Sequence, residues 1–307
     1  FNMYYQYSYE KDYLSEFSNQ GEALDKLETG TDLAVLKTGD ESVYRYDQMG
    51  THSYENSSMQ TGTNGTSYYF SVASGDITNF FNEVDLNTPW DYHYENLDSR
   101  TILDRLAAVK YFVVKAGEEE YLPYGYDTLA AEAEKNDRLY RAYECKNALP
   151  IGYTYDSYIP EEKYAKMSTV EKQQALLQGV VLADSTVPET TPEFNDREVP
   201  YKLVTGSGCR EKDGKLIVTK ENAQAKLVFD GLDECETYLI TEGVDYEALS
   251  PRELISDKKW NKMTLYEQKK VQYENSTWRY WKESQKAYID VTGQFLDKTI
   301  SIFTDKY

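Results

Sequence analysis

Residues 98–114 read Asp-Ser-Arg-Thr-Ile-Leu-Asp-Arg-Leu-Ala-Ala-Val-Lys-Tyr-Phe-Val-Val. Asp98 or Ser99 supplies a helix cap, and apolar residues follow it at helical spacing. The helix leads directly into residues 109–114, whose apolar, β-branched and aromatic side chains predict a buried strand. This stretch therefore predicts a helix that feeds a core strand without an intervening loop.

Predicted helices and strands also alternate in the sequence on either side of this stretch. Strand-like segments occur at residues 42–47, 67–72, 139–144 and 151–155, and a short helix is predicted at 76–81. Thr31 or Asp32 is a predicted cap for an earlier helix, whereas residues 48–66, rich in Gly, Ser, Thr and Asn, predict a long surface loop. The order of elements predicts a mixed α/β domain over residues 1–183.

Three prolines among Thr and Glu mark residues 184–200 as a linker to a second domain at 201–307. Short strands are predicted there at 201–204, 216–219, 225–229, 237–241, 287–292 and 298–304. Asp213-Gly214 predicts a tight hairpin, because this dipeptide tolerates positive φ. We expect a jelly-roll-like β-sandwich with a helical insertion at about 246–280, which makes the chain α+β.

The net charge excludes some partners. The chain has 53 acidic and 33 basic residues and a formal charge of −20, so its field repels phosphate backbones and we expect no nucleic acid. Anionic headgroups are disfavoured as flat partners for the same reason. Tyrosine is abundant, with 30 residues. Its apolar ring and polar hydroxyl suit partly hydrated binding surfaces as well as ordinary strands.

Signatures of catalysis and metal binding are missing from the sequence. It has no GxSxG, Walker or HExxH motif, and His52 and His93 are its only histidines. We therefore expect no catalytic residue, no metal and no cofactor. Three cysteines form no CxxC motif, and both a Cys209–Cys235 disulfide and three free thiols remain open.

Two aromatic clusters are the candidate ligand-binding residues. One lies in a predicted loop and the other opens a predicted late strand; together they comprise Trp90, Tyr92, His93, Tyr94, Trp278, Tyr280 and Trp281. Flat rings beside carboxylates and amides are typical of sugar sites, because rings meet C–H faces and polar groups meet hydroxyls. The alternative is that these rings fill a domain interface.

The order of short motifs along the chain resembles the extracytoplasmic part of the YfhO family of bacterial multi-spanning membrane proteins. The motifs are Val43-Tyr44-Arg45, Asn56-Ser57-Ser58, residues 67–72, Asn79-Phe80-Phe81, residues 106–112, residues 148–153 and Glu236-Thr237-Tyr238-Leu239. The resemblance implies a GT-C-like glycosyltransferase that decorates cell-wall polymers such as lipoteichoic acid from a polyprenyl-phosphate sugar donor. Its catalytic acid would belong to the membrane part, so no residue here is assigned as catalytic.

The chain starts without Met and has no run of roughly 20 apolar residues. The resemblance implies that both ends continue into flanking transmembrane helices, with this part on the extracytoplasmic face of the cell membrane. The first hypothesis is a non-catalytic domain that positions or recognises a cell-wall glycan or teichoic-acid acceptor. The alternatives are a structural or protein-interaction module and a free-standing secreted glycan-active enzyme.

Overall fold

The computed structural model describes residues 28–48, 56–86, 93–94, 96–220, 223–232, 234–240, 250–282, 286–292 and 297–303, with side chains described for all of these except residue 93 and residues 277–303. The described residues form both helices and several separate β-sheets, which confirms the α+β class. The chain forms two compact units, Phe1–Thr154 with Thr241–Tyr307, and Tyr155–Ile240. The predicted domain division at 184–200 stays a prediction.

The described elements alternate along the chain. In order they are α1 (Gly30–Leu36), β1 (Arg45–Gln48), α2 (Ser57–Thr61), β2 (Tyr68–Tyr69), α3 (Gly75–Glu83), β3 (His93–Tyr94), α4 (Thr101–Leu106), β4 (Val109–Lys115), a 3-10 turn (Glu119–Tyr121), β5 (Tyr126–Lys135), β6 (Arg138–Cys145), β7 (Tyr158–Pro160), α5 (Glu161–Tyr164), α6 (Thr169–Ala175), β8 (Val180–Leu182), β9 (Tyr201–Thr205), β10 (Cys209–Lys212), β11 (Lys215–Val218), β12 (Ala225–Phe229), α7 (Asp257–Trp260), α8 (Leu265–Lys282), β13 (Lys286–Thr292) and β14 (Asp297–Phe303).

A four-stranded sheet organises the first unit, with strand order β1-β4-β6-β5. β1 runs parallel to β4, and the other neighbours are antiparallel. The buried strand predicted at 109–114 and its partner at 139–144 are both confirmed. The strand predicted at 151–155 is wrong, since these residues form bends and irregular backbone, and β4 and β5 already pair with the two edges of β6.

Helix α1 covers one face of this sheet and packs on β4, β5 and β6. Its core partners on the strands are Tyr46, Tyr111, Val113, Ala133, Tyr140 and Ala142. Thr29 is the N-cap, since its hydroxyl accepts from the Asp32 backbone N–H at 3.1 Å; the predicted caps Thr31 and Asp32 are wrong by two or three residues. Asp32 is instead buried and accepts hydrogen bonds from Tyr46 and Thr63.

Helix α4 begins later than predicted. Asp98 and Ser99 adopt positive φ of 56° and 55° in a turn, so neither caps the helix, and Arg100 is the N-cap. The Arg100 guanidinium reaches back to the carbonyls of Val84 and Asp85 at 2.6 and 2.7 Å. This side chain thereby satisfies carbonyl groups just past the end of α3, as basic residues near helix C-termini often do.

The described residues of the second unit form three two-stranded sheets. β7 and β8 are parallel, β12 pairs with β9, and β10 pairs with β11. The predicted hairpin is confirmed, with Asp213 and Gly214 at φ of 53° and 73°. Residues 237–240 form no strand, contrary to expectation. Every described sheet after residue 200 has two strands, so the sandwich arrangement stays a prediction.

The helical insertion is confirmed in α7 and α8, and the strands predicted near 287–292 and 298–304 pair as β13 and β14. The insertion ends later than expected, because α8 continues to Lys282. Residues 278–281 therefore lie on a helix and do not open a strand. None of the described helices has the combination of length and apolar character that crossing a membrane requires.

Candidate functional site

A nearly uncharged segment stands out in this acidic chain. Asp76 is the single charged residue of positions 56–82, although 28% of the whole chain is charged. The segment combines Tyr and Phe with Asn, Ser, Thr and Gly. This is the composition of adaptable binding surfaces, in which rigid rings supply contact area and small polar groups supply hydrogen bonds.

The predicted surface loop at 48–66 is more ordered than expected over its described part. Residues 57–61 form α2, and the Tyr46 backbone N–H donates to the Asn64 carbonyl while that of Thr66 donates to Tyr46. Gly65 forms a parallel bridge to Tyr46, where an added Cβ would lie 2.9 Å from the tyrosine oxygen. The segment thus extends the sheet beyond β1.

Asn56 fixes the backbone of β2 from this segment. It adopts φ of 64°, which asparagine tolerates better than most residues. Its side-chain amide donates to the Tyr69 carbonyl at 3.0 Å and accepts from the Tyr69 N–H at 3.1 Å. The predicted strand at 67–72 is therefore short, since β2 ends at Tyr69 and pairs only with β3, Tyr69 opposite His93.

Tyr94 contacts both β2 and α3. Its ring lies 4.6 Å from that of Tyr68 and 5.0 Å from that of Phe81, the latter edge-to-face. Its hydroxyl lies 3.2 Å from that of Thr78 on α3. Since only 2% of Tyr94 is exposed, this residue is part of the core.

The residues next to these contacts point outward. Tyr69 and Phe70 follow the partly buried Tyr68, and Phe80 precedes Phe81 on α3. We call the exposed set Tyr69, Phe70, Val72 and Phe80 the aromatic face; their exposed fractions are 43%, 52%, 80% and 39%. These four side chains lie within twelve residues of sequence, and exposed apolar side chains that form one patch are typical of interaction sites.

A buried carboxyl group anchors this part of the unit. Asp47, at the end of β1, accepts from the Thr66 hydroxyl at 2.7 Å, from the Gln48 N–H at 2.7 Å and from the Leu97 N–H at 3.3 Å. It therefore ties the segment entering β2 and the segment leaving β3 to the central sheet. Burial raises the pKa of Asp47 to about 6, against the opposing effect of these hydrogen bonds.

Asp104 on α4 is also fully buried, and its carboxyl group interacts with that of Asp47. The pair is therefore a structural anchor in the interior and has no access to a polymeric substrate.

Among the sequence-predicted ligand residues, Tyr94 is the one with a described side chain, and it packs in the core instead of forming a platform. His93 lies on β3, whereas the side chains of Trp90, Tyr92, Trp278, Tyr280 and Trp281 lie outside the described residues, and their role stays a prediction. The aromatic face was missed because its residues were assigned to a strand and a helix. The lack of charge over 56–82 was the signal available in the sequence.

Two open depressions lie on the described surface. An open depression of about 360 Å³ is lined by Glu161, Glu162, Ala165 and Ala183, and a smaller one of about 200 Å³ by Glu28, Leu36, Gln60 and Thr61. The described residues contain no group of three His, Cys, Asp or Glu arranged to hold a metal ion. Cys145, Cys209 and Cys235 are free thiols in this structure.

Comparison with known proteins identifies the family of this chain. The model of the bacterial membrane protein YfhO matches residues 1–304. A protein of Bacillus subtilis (strain 168) called uncharacterized protein YfhO is 29% identical over 198 residues, which cover 61% of this chain and 22% of that relative. The chain spans about a fifth of its length, and no solved structure matches. The chain therefore belongs to the YfhO family of bacterial membrane proteins.

Proposed function

We propose that this chain is an extracytoplasmic part of a membrane glycosyltransferase, and that it recognises or positions a cell-wall glycan through the aromatic face. The observation that carries the proposal is the exposure of four large apolar side chains in an almost uncharged segment. Membership in a membrane-protein family supports it, because such a domain would lie close to glycans assembled at the cell surface.

The chemistry of the face favours sugar rings over phosphate groups. Tyr69 and Phe70 offer flat apolar surfaces for C–H faces, and nearby Asn, Ser and Thr side chains suit hydroxyl groups. Positions 56–82 contain no Lys or Arg, so a phosphodiester would find no cation there. The net charge of −20 would also repel a polyanion at low salt. An acceptor such as a teichoic acid would thus be held by its sugar substituents.

The positions of the described carboxyl groups favour a binding role over glycoside hydrolysis. Asp47 and Asp104 are both buried, whereas glycoside hydrolysis needs two carboxyl groups that flank an accessible bond. In this proposal the transfer reaction takes place elsewhere in the parent protein. This chain matches only about a fifth of the length of its Bacillus subtilis relative, so most of such a protein lies outside it.

Isothermal titration with purified wall-glycan fractions tests the proposal. We expect weak binding by the chain and at least a tenfold loss in affinity for Tyr69→Ala with Phe70→Ala, a loss of about 1.4 kcal/mol. Tyr201→Ala is the matched control, since Tyr201 is an exposed tyrosine of the second unit, and it should bind as the parent chain does. Lack of glycan binding at millimolar sugar would refute recognition by this face.

The topology is tested separately with the full-length parent in intact cells. Cys235 is exposed and should react with a membrane-impermeant maleimide if this part faces outward, while Cys235→Ser should remove that labelling. Labelling that appears only after cell lysis would place the domain on the cytoplasmic side. If a partner protein instead binds the aromatic face and no glycan does, the interaction-module alternative holds.

A further inference from the structure

The helical insertion carries a net positive charge, whereas the whole chain is strongly negative. Residues 250–282 contain eight basic and four acidic residues, a formal charge of +4, although the whole chain carries −20. A count over the whole chain hides this local surplus. Because exposed charges more than roughly 10 Å apart are largely screened at about 0.1 M salt, a partner that touches this segment responds to its local charge.

Internal contacts fix which side of the insertion faces outward. The Arg252 guanidinium stacks on the Trp260 ring at 4.4 Å, and the Arg252 N–H donates to the Asn275 side chain at 3.1 Å. Gln268 donates to the Trp260 carbonyl at 3.0 Å, and Val271 is buried. Positions 268, 271 and 275 of α8 share one side of a helix, so α8 packs on the preceding turns with this side.

The opposite side of α8 is exposed and carries both tyrosine and lysine. Tyr266, Lys269, Lys270 and Tyr273 follow the spacing i, i+3, i+4, i+7 and lie on one face of the helix. The exposed fractions of Tyr266 and Tyr273 are 79% and 71%. Together with Leu265, which is 72% exposed, they give this face an apolar component beside its positive charge.

Several of these lysines are not neutralised by neighbours. Lys270 lies 3.9 Å from Glu274. By contrast, four exposed lysines of the insertion form no ion pair with any residue that the structure describes: Lys258, Lys259, Lys262 and Lys269. Unpaired cations on one exposed element are expected to attract an anionic partner.

We propose that the exposed Tyr/Lys side of α8, with the lysines of α7, is a docking surface for the anionic headgroups of a phospholipid bilayer. Charge complementarity favours this partner, and a membrane is present by virtue of the family to which the chain belongs. Lysine heads reach phosphates while their stems cover apolar surface, and tyrosines partition into the headgroup region. The arrangement is that of a helix lying on a membrane surface. This proposal does not depend on glycan recognition.

Co-sedimentation of the purified chain with lipid vesicles tests it. We expect partitioning onto phosphatidylcholine vesicles with about one-third phosphatidylglycerol to exceed that onto pure phosphatidylcholine at least tenfold, and to fall as NaCl rises from about 50 to about 300 mM. Lys269→Glu with Lys270→Glu should lower partitioning onto the anionic vesicles at least tenfold. Tyr266→Ser with Tyr273→Ser should weaken it and retain the salt dependence.

The matched control is Lys212→Glu with Lys215→Glu, which makes the same charge change on the exposed β10–β11 hairpin and should leave partitioning unchanged. Circular dichroism checks folding, and Lys258→Gln with Lys262→Gln replaces the first variant if that one unfolds. Equal binding to both vesicles, or equal losses in the test and control variants, would overturn the proposal. So would binding to soluble poly(glycerol phosphate) without binding to anionic vesicles, which would identify a phosphate polymer as the partner.

Discussion

The Thr66 hydroxyl donates a 2.7 Å hydrogen bond to the carboxylate of Asp47, which is fully buried at the end of β1. This contact joins the segment that enters β2 to the central sheet. Leu97, on the other side of β3, donates to the same carboxyl group. One buried acid therefore holds both sides of the two-stranded ribbon that carries Tyr69.

Thr66→Val should destabilise the first unit by about 1.5–3 kcal/mol, because it removes a hydrogen bond to a buried charged group and keeps the shape of the side chain. Urea denaturation at pH 7 measures the change. Thr128→Val is the matched control, since the Thr128 hydroxyl donates to an exposed aspartate, Asp127; its effect should stay within about 0.5 kcal/mol. Equal effects of the two substitutions would contradict the anchoring role.

Stability should fall as the pH rises from about 4.5 to about 6. The pKa of Asp47 is raised from 3.8 to about 6 in the fold, so the folded state holds a proton that the unfolded state has already lost. Losing that proton therefore weakens the fold, by roughly 2 kcal/mol over this interval. The measurement is urea denaturation at several pH values. Asp47→Asn should flatten this part of the profile, and an unchanged slope in that variant would assign it to other groups.

The opposite pH dependence is expected from Asp40. Burial alone would raise its pKa, but hydrogen bonds from Lys110, Ser42 and Tyr111 bring it below its usual range. Its contribution to stability is thus present above about pH 4 and is lost as the pH falls through the depressed pKa. Lys110→Met should remove much of it, which acid titration of the two proteins below pH 4 would detect as a smaller loss of stability in the variant. Equal losses would show that Lys110 does not sustain the shift.

Gly30→Ala should destabilise the first unit by about 1–3 kcal/mol, since a Cβ there would lie 2.2 Å from ring atoms of the buried Tyr140. Gly75 is the matched control because it also begins a helix and has open space where a Cβ would be. Gly75→Ala should be neutral or stabilise by up to about 1 kcal/mol. Thermal unfolding distinguishes the two, and a neutral Gly30→Ala would mean that Tyr140 moves aside freely.

Tyr94→Phe should leave glycan binding unchanged, because its ring is enclosed by Tyr68 and Phe81 and does not meet solvent. Tyr94→Ala should lower the free energy of unfolding by about 3–5 kcal/mol through the cavity it leaves. Titration and urea denaturation of both variants separate the two roles. A Phe variant of normal stability that no longer binds glycan would show that the hydroxyl contacts the ligand.

Local chemistry in the sequence was sufficient for several elements. Asp213-Gly214 predicted a hairpin because few other pairs adopt two positive φ angles, and the strand at 109–114 followed from its β-branched and aromatic residues. The helix α6 begins with a capping box between Ser168 and Glu171, two residues three positions apart. In each case the residues that decide the structure are neighbours along the chain.

Tertiary structure decided which of these residues are accessible. Tyr94 belonged to a predicted aromatic platform, yet distant Tyr68 and Phe81 bury it, while Tyr69 and Phe70 are left exposed. Nothing in the sequence distinguishes Asp47 from the other acidic residues among the 53; packing buries it together with Asp104. Burial and pKa depend on partners far away in the sequence, and periodicity reports only which side of an element a residue occupies. The sequence by itself thus determined local elements and net charge, and the tertiary structure determined which surfaces can bind.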